Sequence, residues 1–341
     1  KIVKDVAGRE DYCSIFHSDG AGTKSSLAYM YYRETMDFSV FKDVVRDAIV
    51  MNLDDILCIG ATGSYFLSNT IGRNNHYISG NIVSTIIGEY YSYCNYLSNL
   101  GLNLIMCGGE TADVGDIVRT LIIDASIFTS MRKEEVIDAG NIKPGDVILG
   151  LASFGQAKYE DRFNSGIGSN GLTLARHGVL SHEYYKKYPE CFDPNIDSKL
   201  AFFGKYKLTD KLKETDLTIG QALLSPTRTY VPIMVEVLKK YRKDIHGIIH
   251  ITGGGQTKVL NFGKSIKFIK NNMFKLPKMF EIIQNSSETP WKEMFQVFNM
   301  GHRMEIYTNE STAKEIINIA HNFNVESKVI GFCENSTNRN I

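Results

Sequence analysis

Hydrophobic and polar positions recur along the chain in patterns that predict a mixed α and β fold. Tyr12 to His17 alternates like a short strand and runs into Asp19-Gly20-Ala21-Gly22-Thr23-Lys24, a glycine turn with a helix expected after it. From Val40 to Ile59 the apolar residues Val44, Val45, Ala48, Met51, Ile56 and Ile59 return at helical spacing, and Gly60 supplies the stop. Asp43, Asp47, Asp54 and Asp55 ride on that helix. Ser64 to Ile71 reads as strand, and Ser79 caps a tyrosine-rich amphipathic helix that reaches Leu100 before Gly101 ends it. Asn103 to Met106 predicts a strand that stops at Cys107-Gly108-Gly109-Glu110-Thr111, and Arg119 to Met131 predicts another.

The pattern breaks at Lys143-Pro144-Gly145-Asp146 and restarts with the apolar strand Val147 to Leu151, so the chain is expected to divide into residues 1–143 and 144–341. Beyond that boundary Gln156 to Gly168 reads as a polar loop, and Ser169-Asn170-Gly171 opens a helix from Leu172 to His177. Tyr184 to Asp216 is the least periodic stretch and reads as a surface excursion. Tyr230 to Tyr241 predicts an amphipathic helix, and Ile248 to Ile251 a buried strand ending in Gly253-Gly254-Gly255. Strand, helix and strand follow at Glu305 to Tyr307, Thr312 to Ala320 and Lys328 to Phe332.

A length of 341 residues agrees with two domains, and 43% hydrophobic with 22% charged residues is a globular composition. Lys plus Arg equals Asp plus Glu at 38 each, so no net field draws the chain to nucleic acid or to an anionic membrane, and neither is expected as a partner. The recurring lysines Lys258, Lys264, Lys267, Lys270, Lys275 and Lys278 read as a solvated helix face, with an anion-facing surface the alternative. No apolar run approaches the roughly 18 residues of a membrane span, and Lys1 to Glu10 lacks the apolar centre of a signal peptide. Six cysteines without a Cys-x-x-Cys pair read as buried thiols in a reducing compartment, with the cytoplasm as the expected location. Because the chain opens on Lys1, a preceding segment is expected to be missing from it.

Candidate chemistry gathers at the turns. The Asp19 to Lys24 turn suits a phosphate, since Gly20 and Gly22 let backbone N–H groups approach oxygens, a helix N-terminus favours anions, and Lys24 adds a mobile cation. Asp55, flanked by core residues, suggests a cation nearby, with Asp47 a weaker case and a solvated face or an ion pair the alternative for both. Glu110 follows Gly108-Gly109 directly, and Asp19, Asp55 and Glu110 together would suit Mg²⁺ bound with substrate phosphates. Ser169-Asn170-Gly171 and the turn from His250 to Gly255 are further anion-binding candidates. Thr227-Arg228 sets a guanidinium where it clamps a phosphate or pairs with an acid. His17 and His250 adjoin these turns and read as satisfied structural histidines.

Read in order, Asp-Gly-Ala-Gly-Thr-Lys (19 to 24), Met-Asn-Leu-Asp-Asp-Ile-Leu-Cys-Ile-Gly-Ala (51 to 61) and Gly-Gly-Glu-Thr-Ala (108 to 112) resemble the phosphoribosylformylglycinamidine cyclo-ligase family, also called aminoimidazole ribonucleotide (AIR) synthetase. Gly145 to Ser153, Ser169 to Gly171, Leu223 to Val231, His250 to Gly255 and Phe298 to Gly301 extend the resemblance over nearly the whole chain. It implies a two-domain α+β fold, with an N-terminal mixed-sheet ATP-binding domain pairing in a dimer barrel and a C-terminal α/β sandwich-like domain. It also implies a homodimer using ATP and Mg²⁺ in purine biosynthesis. There ATP would phosphorylate the formyl oxygen of formylglycinamidine ribonucleotide, and the amidine nitrogen would close the imidazole ring through an iminophosphate.

Carried over residue by residue, the resemblance implies Lys24 and Asp55 as catalytic groups and Asp19, Asp55 and Glu110 as metal ligands. Nucleotide would be held by Asp19, Gly20, Gly22, Thr23, Lys24, Asp47, Gly108, Gly109, Glu110 and Thr111, with Asp113 a second choice beside Asp47. Substrate would be held by Ser169, Asn170, Gly171, Thr227 and Arg228, while the turn chemistry of Gly253, Gly254 and Gly255, rather than the resemblance, suits them to its ribose phosphate. The chain departs from the family pattern in three places. Gly168 stands where the family usually has His before Ser-Asn-Gly, after an insertion-like loop from Gln156 to Ile167. Gln256-Thr257-Lys258 replaces an apolar pair followed by Glu-Asn, and eighteen residues precede Asp19, fewer than the family's ATP-covering segment. The alternatives are another ATP-dependent member of the superfamily with a different acceptor, or a catalytically silent nucleotide-binding homologue.

Overall fold

A computed structural model describes residues 2–263 and 265–337. In the first half the elements are Ile2–Lys4 (β1), Tyr12–Gly20 (β2), Lys24–Thr35 (α1), Ser39–Leu57 (α2), Tyr65–Arg73 (β3), Gly80–Asn99 (α3), Leu104–Asp113 (β4) and Leu121–Arg132 (β5). The five strands form one sheet in the order β1-β2-β5-β3-β4, antiparallel except where β3 runs parallel to β4. One face packs on α2, which is buried along nearly its whole length. The other face leaves Phe16, Phe66, Ile105 and Ile122 exposed.

The second half runs through Val147–Ala152 (β6), Phe154–Gly155 (β7), Asn164–Ser165 (β8), Leu172–Val179 (α4), Glu183–Lys187 (α5), Ile219–Leu223 (α6), Val231–Tyr241 (α7) and Ile245–His250 (β9). It ends with Ile266–Ile269 (β10), Lys278–Ser287 (α8), Trp291–Val297 (α9), His302–Thr308 (β11), Glu310–Asn322 (α10) and Ser327–Asn335 (β12). Its main sheet has the order β10-β12-β6-β11-β9 with antiparallel pairings, and α7 and β9 reach across to α2. The mixed α+β architecture expected from the sequence is present.

Several expectations are corrected. β2 extends to Gly20, which pairs with Asp124, so the turn proper is Ala21 to Thr23. β4 does not stop at Met106 but continues to Asp113, because pairing with β3 resumes after an irregularity that Gly108 absorbs at φ +107. The stretch from Tyr184 to Asp216 is no surface excursion, since Tyr184, Tyr188, Phe192, Phe202 and Leu208 are buried in the core. Its apolar residues sit on short turns and one helix of five residues, which leaves no period to detect. The lysine stretch is not one helix face: Lys267 lies on β10, Lys270 is buried against Glu305, and Lys278 opens α8, while Lys264 lies outside the described residues. Four of the cysteines are buried, but Cys107 is exposed. Among the described residues no helix is long and apolar enough to cross a membrane.

Candidate functional site

Steps of four and seven residues return a helix to nearly the same face, so Asp43, Asp47 and Asp54 form one stripe on α2 while Asp55 projects about 100° away. All three stripe residues are buried. A buried carboxylate needs a partner, and the second half of the chain, with Lys24, supplies them. Asp43 meets Arg162. Asp47 pairs with Lys24 at 2.8 Å and accepts from Ser169 Oγ at 3.1 Å and Thr227 N at 2.7 Å. Asp54 pairs with Arg303 at 3.1 Å and accepts from Thr229 and from Tyr230 N. Burial pushes the Asp54 carboxyl up to about 7 while Arg303 pulls it down.

Asp55 faces a groove of about 490 Å³ between the two sheets. Its two oxygens are divided between histidines from different halves of the chain: Oδ1 with His250 Nδ1 at 2.7 Å, Oδ2 with His17 Nε2 at 3.1 Å. Arg303 donates to His250 Nε2, so that nitrogen is the acceptor and Nδ1 carries the proton given to Asp55. Burial and then Arg303 hold the His250 imidazole down at about 4, as the neutral form requires. His17 is the opposite case. The amide nitrogen of Asn52 is directed at the carbonyls of Asp19, Ala48 and Ala125, which turns its oxygen to His17 Nδ1 at 2.8 Å. Both His17 nitrogens therefore face acceptors, and the hydrogen bond with Asp55 raises its pKa. The two histidines and Lys258 pull the Asp55 carboxyl far below the usual range despite burial.

Asp19 is half-buried, held by Gly20 N at 2.7 Å, and its carboxyl is raised by burial and by the charge of Asp55. Gly20 is required by the Asp124 side chain, which crosses where a Cβ would stand. Gly22, at φ +55, and Thr23 form an exposed turn into α1. Lys24 is not the mobile cation expected. It is fully buried, and its three N–H groups go to Asp47, Gly168 O and Ser225 O. Arg228 is likewise no phosphate clamp, because its five donors are spent on Glu160 and the carbonyls of Ala152, Phe154 and Gly155.

Glu110 does not join Asp19 and Asp55. Across the sheet Gly20 pairs with Asp124, Asp124 with Thr70, and Thr70 with Glu110, so Glu110 lies on the exposed face. Three strand spacings put it roughly 14 Å away. Asp19 occupies the neighbouring row, with buried Ala125 and Asn69, on the opposite face. Gly109 is pressed against Asn69, and Thr111 and Asp113 are exposed on the same strand. Ser169, Asn170 and Gly171 are half-buried, with Ser169 tied to Thr227 Oγ1 at 2.9 Å and Gly171 crowded by Phe298. Thr227 is buried beside Asp47. Gly253 and Gly254 are exposed where β9 leaves the groove, whereas Gly255 is buried against the Phe295 carbonyl.

Among the described residues no three His, Cys, Asp or Glu side chains converge as a metal cage. Asp19 and Asp55 are a like-charged pair, and such a pair fits Mg²⁺, which takes one or two carboxylates and completes its shell with phosphate oxygens. A second cavity, of about 310 Å³ beside Tyr93, Tyr96 and Tyr159, offers less chemistry, since Arg46, Arg162 and Arg228 around it are paired with acids. Sequence reasoning missed Arg303 as a site group, read Lys258 only as one of a lysine run, and read His17 as structural where it donates into the site. The signal for His17 was strand alternation, which sets it on the face of Asp19. For Arg303 it was a charge inside the wholly buried strand β11.

The profile described as AIR synthase related protein, N-terminal domain, matches residues 3–130, and the corresponding C-terminal domain matches residues 143–338. The chain is 31% identical over 330 residues to the phosphoribosylformylglycinamidine cyclo-ligase of Methanococcus vannielii, covering 96% of this chain and 79% of that one. In fold it is similar to thiamine-monophosphate kinase from Stenotrophomonas maltophilia, with a TM-score of 0.56, 10% identity, and 97% and 86% of the two chains covered. It is also similar to Thermotoga maritima PurL complexed with ATP, with a TM-score of 0.51, 11% identity, 96% of this chain and 41% of that one.

Two outcomes follow from the buried charges. Lys24→Met leaves Asp47 buried without its cation and should lower the free energy of unfolding in urea by about 3–5 kcal/mol. His250 sits near 4 in the folded protein against 6.5 unfolded, so the unfolded chain binds the extra proton between those values, and stability falls as pH drops through that window. His250→Gln, measured without magnesium or nucleotide, should flatten that acid limb by about 1.4 kcal/mol per pH unit.

Proposed function

Because the chain belongs to the AIR synthase related family, we propose that it closes formylglycinamidine ribonucleotide to aminoimidazole ribonucleotide at the expense of ATP. The γ-phosphoryl group passes to the formyl oxygen, the amidine nitrogen attacks that carbon, and phosphate leaves as the ring forms beside ADP. This chemistry needs no protein nucleophile. It needs two anionic substrates held together and their charge compensated. The observation that carries the reading is the groove itself, where Asp55 and His17 from the first half face His250 and Lys258 of the second, with Asp19 near enough to feel the charges of Asp55 and Lys258.

Asp19 and Asp55 are the residues that would hold Mg²⁺, which supplies charge neutralisation at the phosphates. Asp55 is fixed for that role by His17 and His250, and its carboxylate stays ionised at any pH near neutrality. The exposed backbone at Gly22 and Thr23 offers N–H groups to phosphate oxygens. Lys24 and Asp47 contribute by fixing Ser169 and Thr227, not by touching nucleotide. The reading also takes two copies to pair through the open face of the first sheet, which the exposed Phe16, Phe66, Ile105 and Ile122 support.

ADP release and the coloured derivative of the aminoimidazole product, followed with ATP, Mg²⁺ and formylglycinamidine ribonucleotide, should rise in equal amounts. Asp55→Asn should lower kcat/KM by about 100-fold or more. An unchanged rate in that variant would remove Asp55 from the metal and phosphate site.

A further inference from the structure

A groove lined by Asp55, with the Asp19 carboxyl close to it, repels a phosphate unless cations answer it, so the supply of unspent cations decides where an anion can sit. Most of those nearby are spent on the fold. Lys24 has all three N–H groups occupied, Arg228 all five, and Arg303 is buried among Asp54, His250 and the Arg228 carbonyl.

Lys258 differs. It lies on the turn of 3₁₀ helix Gly255–Asn261, is half-buried, and lines the groove with Asp55, His17 and His250. Its Nζ donates to Thr252 Oγ1 at 2.6 Å and has no other acceptor among the described residues, although an ammonium has three donors. Thr252 is itself buried, so it tethers the ammonium at the groove wall while leaving donors unfilled. Beside Thr252, Gly253 is exposed and has nothing within 4 Å of where a Cβ would stand, which leaves open space next to the tethered ammonium.

We propose that Lys258 grips a phosphate oxyanion of the substrates in the groove, beside the open backbone of Gly253. The inference rests on the functional reading above for the identity of those substrates. The shared chemistry is a phosphate group, which arrives either as the polyphosphate of ATP or as the 5′-phosphate of the ribonucleotide.

The test compares the full chain with Lys258→Gln and Lys258→Arg. Equilibrium titration with MgATP and with formylglycinamidine ribonucleotide is run separately, alongside KM for each. A charge-assisted hydrogen bond to phosphate corresponds to about a 10- to 100-fold loss of affinity on removal. Lys258→Gln should therefore weaken one ligand by that factor and reduce its salt dependence, with Lys258→Arg recovering most of it. A shift confined to MgATP assigns the polyphosphate, and one confined to the ribonucleotide assigns the 5′-phosphate. Unchanged dissociation constants for both ligands in Lys258→Gln would overturn the proposal even if the wild-type chain closes the ring. A wild-type chain that makes no product but binds a phosphate ligand through Lys258 would overturn the functional reading instead.

Discussion

The buried carboxylates of α2 are the constraint on which the rest depends. An ionised Asp in a protein interior costs several kcal/mol unless it is paired and hydrogen-bonded. Asp47 and Asp54 are buried among apolar residues of the core, and apart from Lys24 their partners lie far along the sequence: Ser169 and Thr227 join Lys24 for one, and Arg303, Thr229 and Tyr230 serve the other. Satisfying those two groups fixes the second half of the chain against the first. The groove is a consequence, because Asp55 leaves the same helix one residue later and opens beside that contact.

Arg303 carries the constraint into the site. One guanidinium reaches Asp54, the Arg228 carbonyl and His250 Nε2, so the ion pair that joins the two halves also sets the tautomer of His250 and, through it, the orientation of Asp55. Asn52 does the same for His17 from the adjacent turn of α2. The result is a carboxylate held ionised by two histidines of opposite character, one neutral and buried, the other doubly donating at the edge of the groove. Such positioning suits a reaction whose difficulty lies in orienting and neutralising charge.

The same economy explains why several expected phosphate ligands are absent from the groove. Lys24 and Arg228 have the residue types of anion binders, and both are consumed by internal acids and carbonyls. Gly168, where a histidine would stand in the family pattern, has its carbonyl accepting from Lys24 and sits against Arg303. At φ +70 it holds a backbone conformation that a side chain would strain.

How much was legible in the sequence follows from the range of the forces involved. Local periodicity gave α2, α3, α7 and α10, and the glycine turns after β2 and β9, because helix faces and left-handed turns are written in neighbouring residues. Motif order carried the family and singled out Asp55 and the turn that begins at His250, which meet in the structure. It missed that Glu110 lies on the far face of the sheet, since strand register and pleat settle which side a residue takes. It also missed that Lys24 is an interior ion pair, that His17 is doubly donating, and that Lys258 keeps unspent donors. The sequence by itself determined which residue types and turns were available. Only the tertiary structure decided which charges were spent on the fold and which were left facing the groove, because partners separated by more than a hundred residues, such as Asp54 and Arg303, meet only once the core has formed.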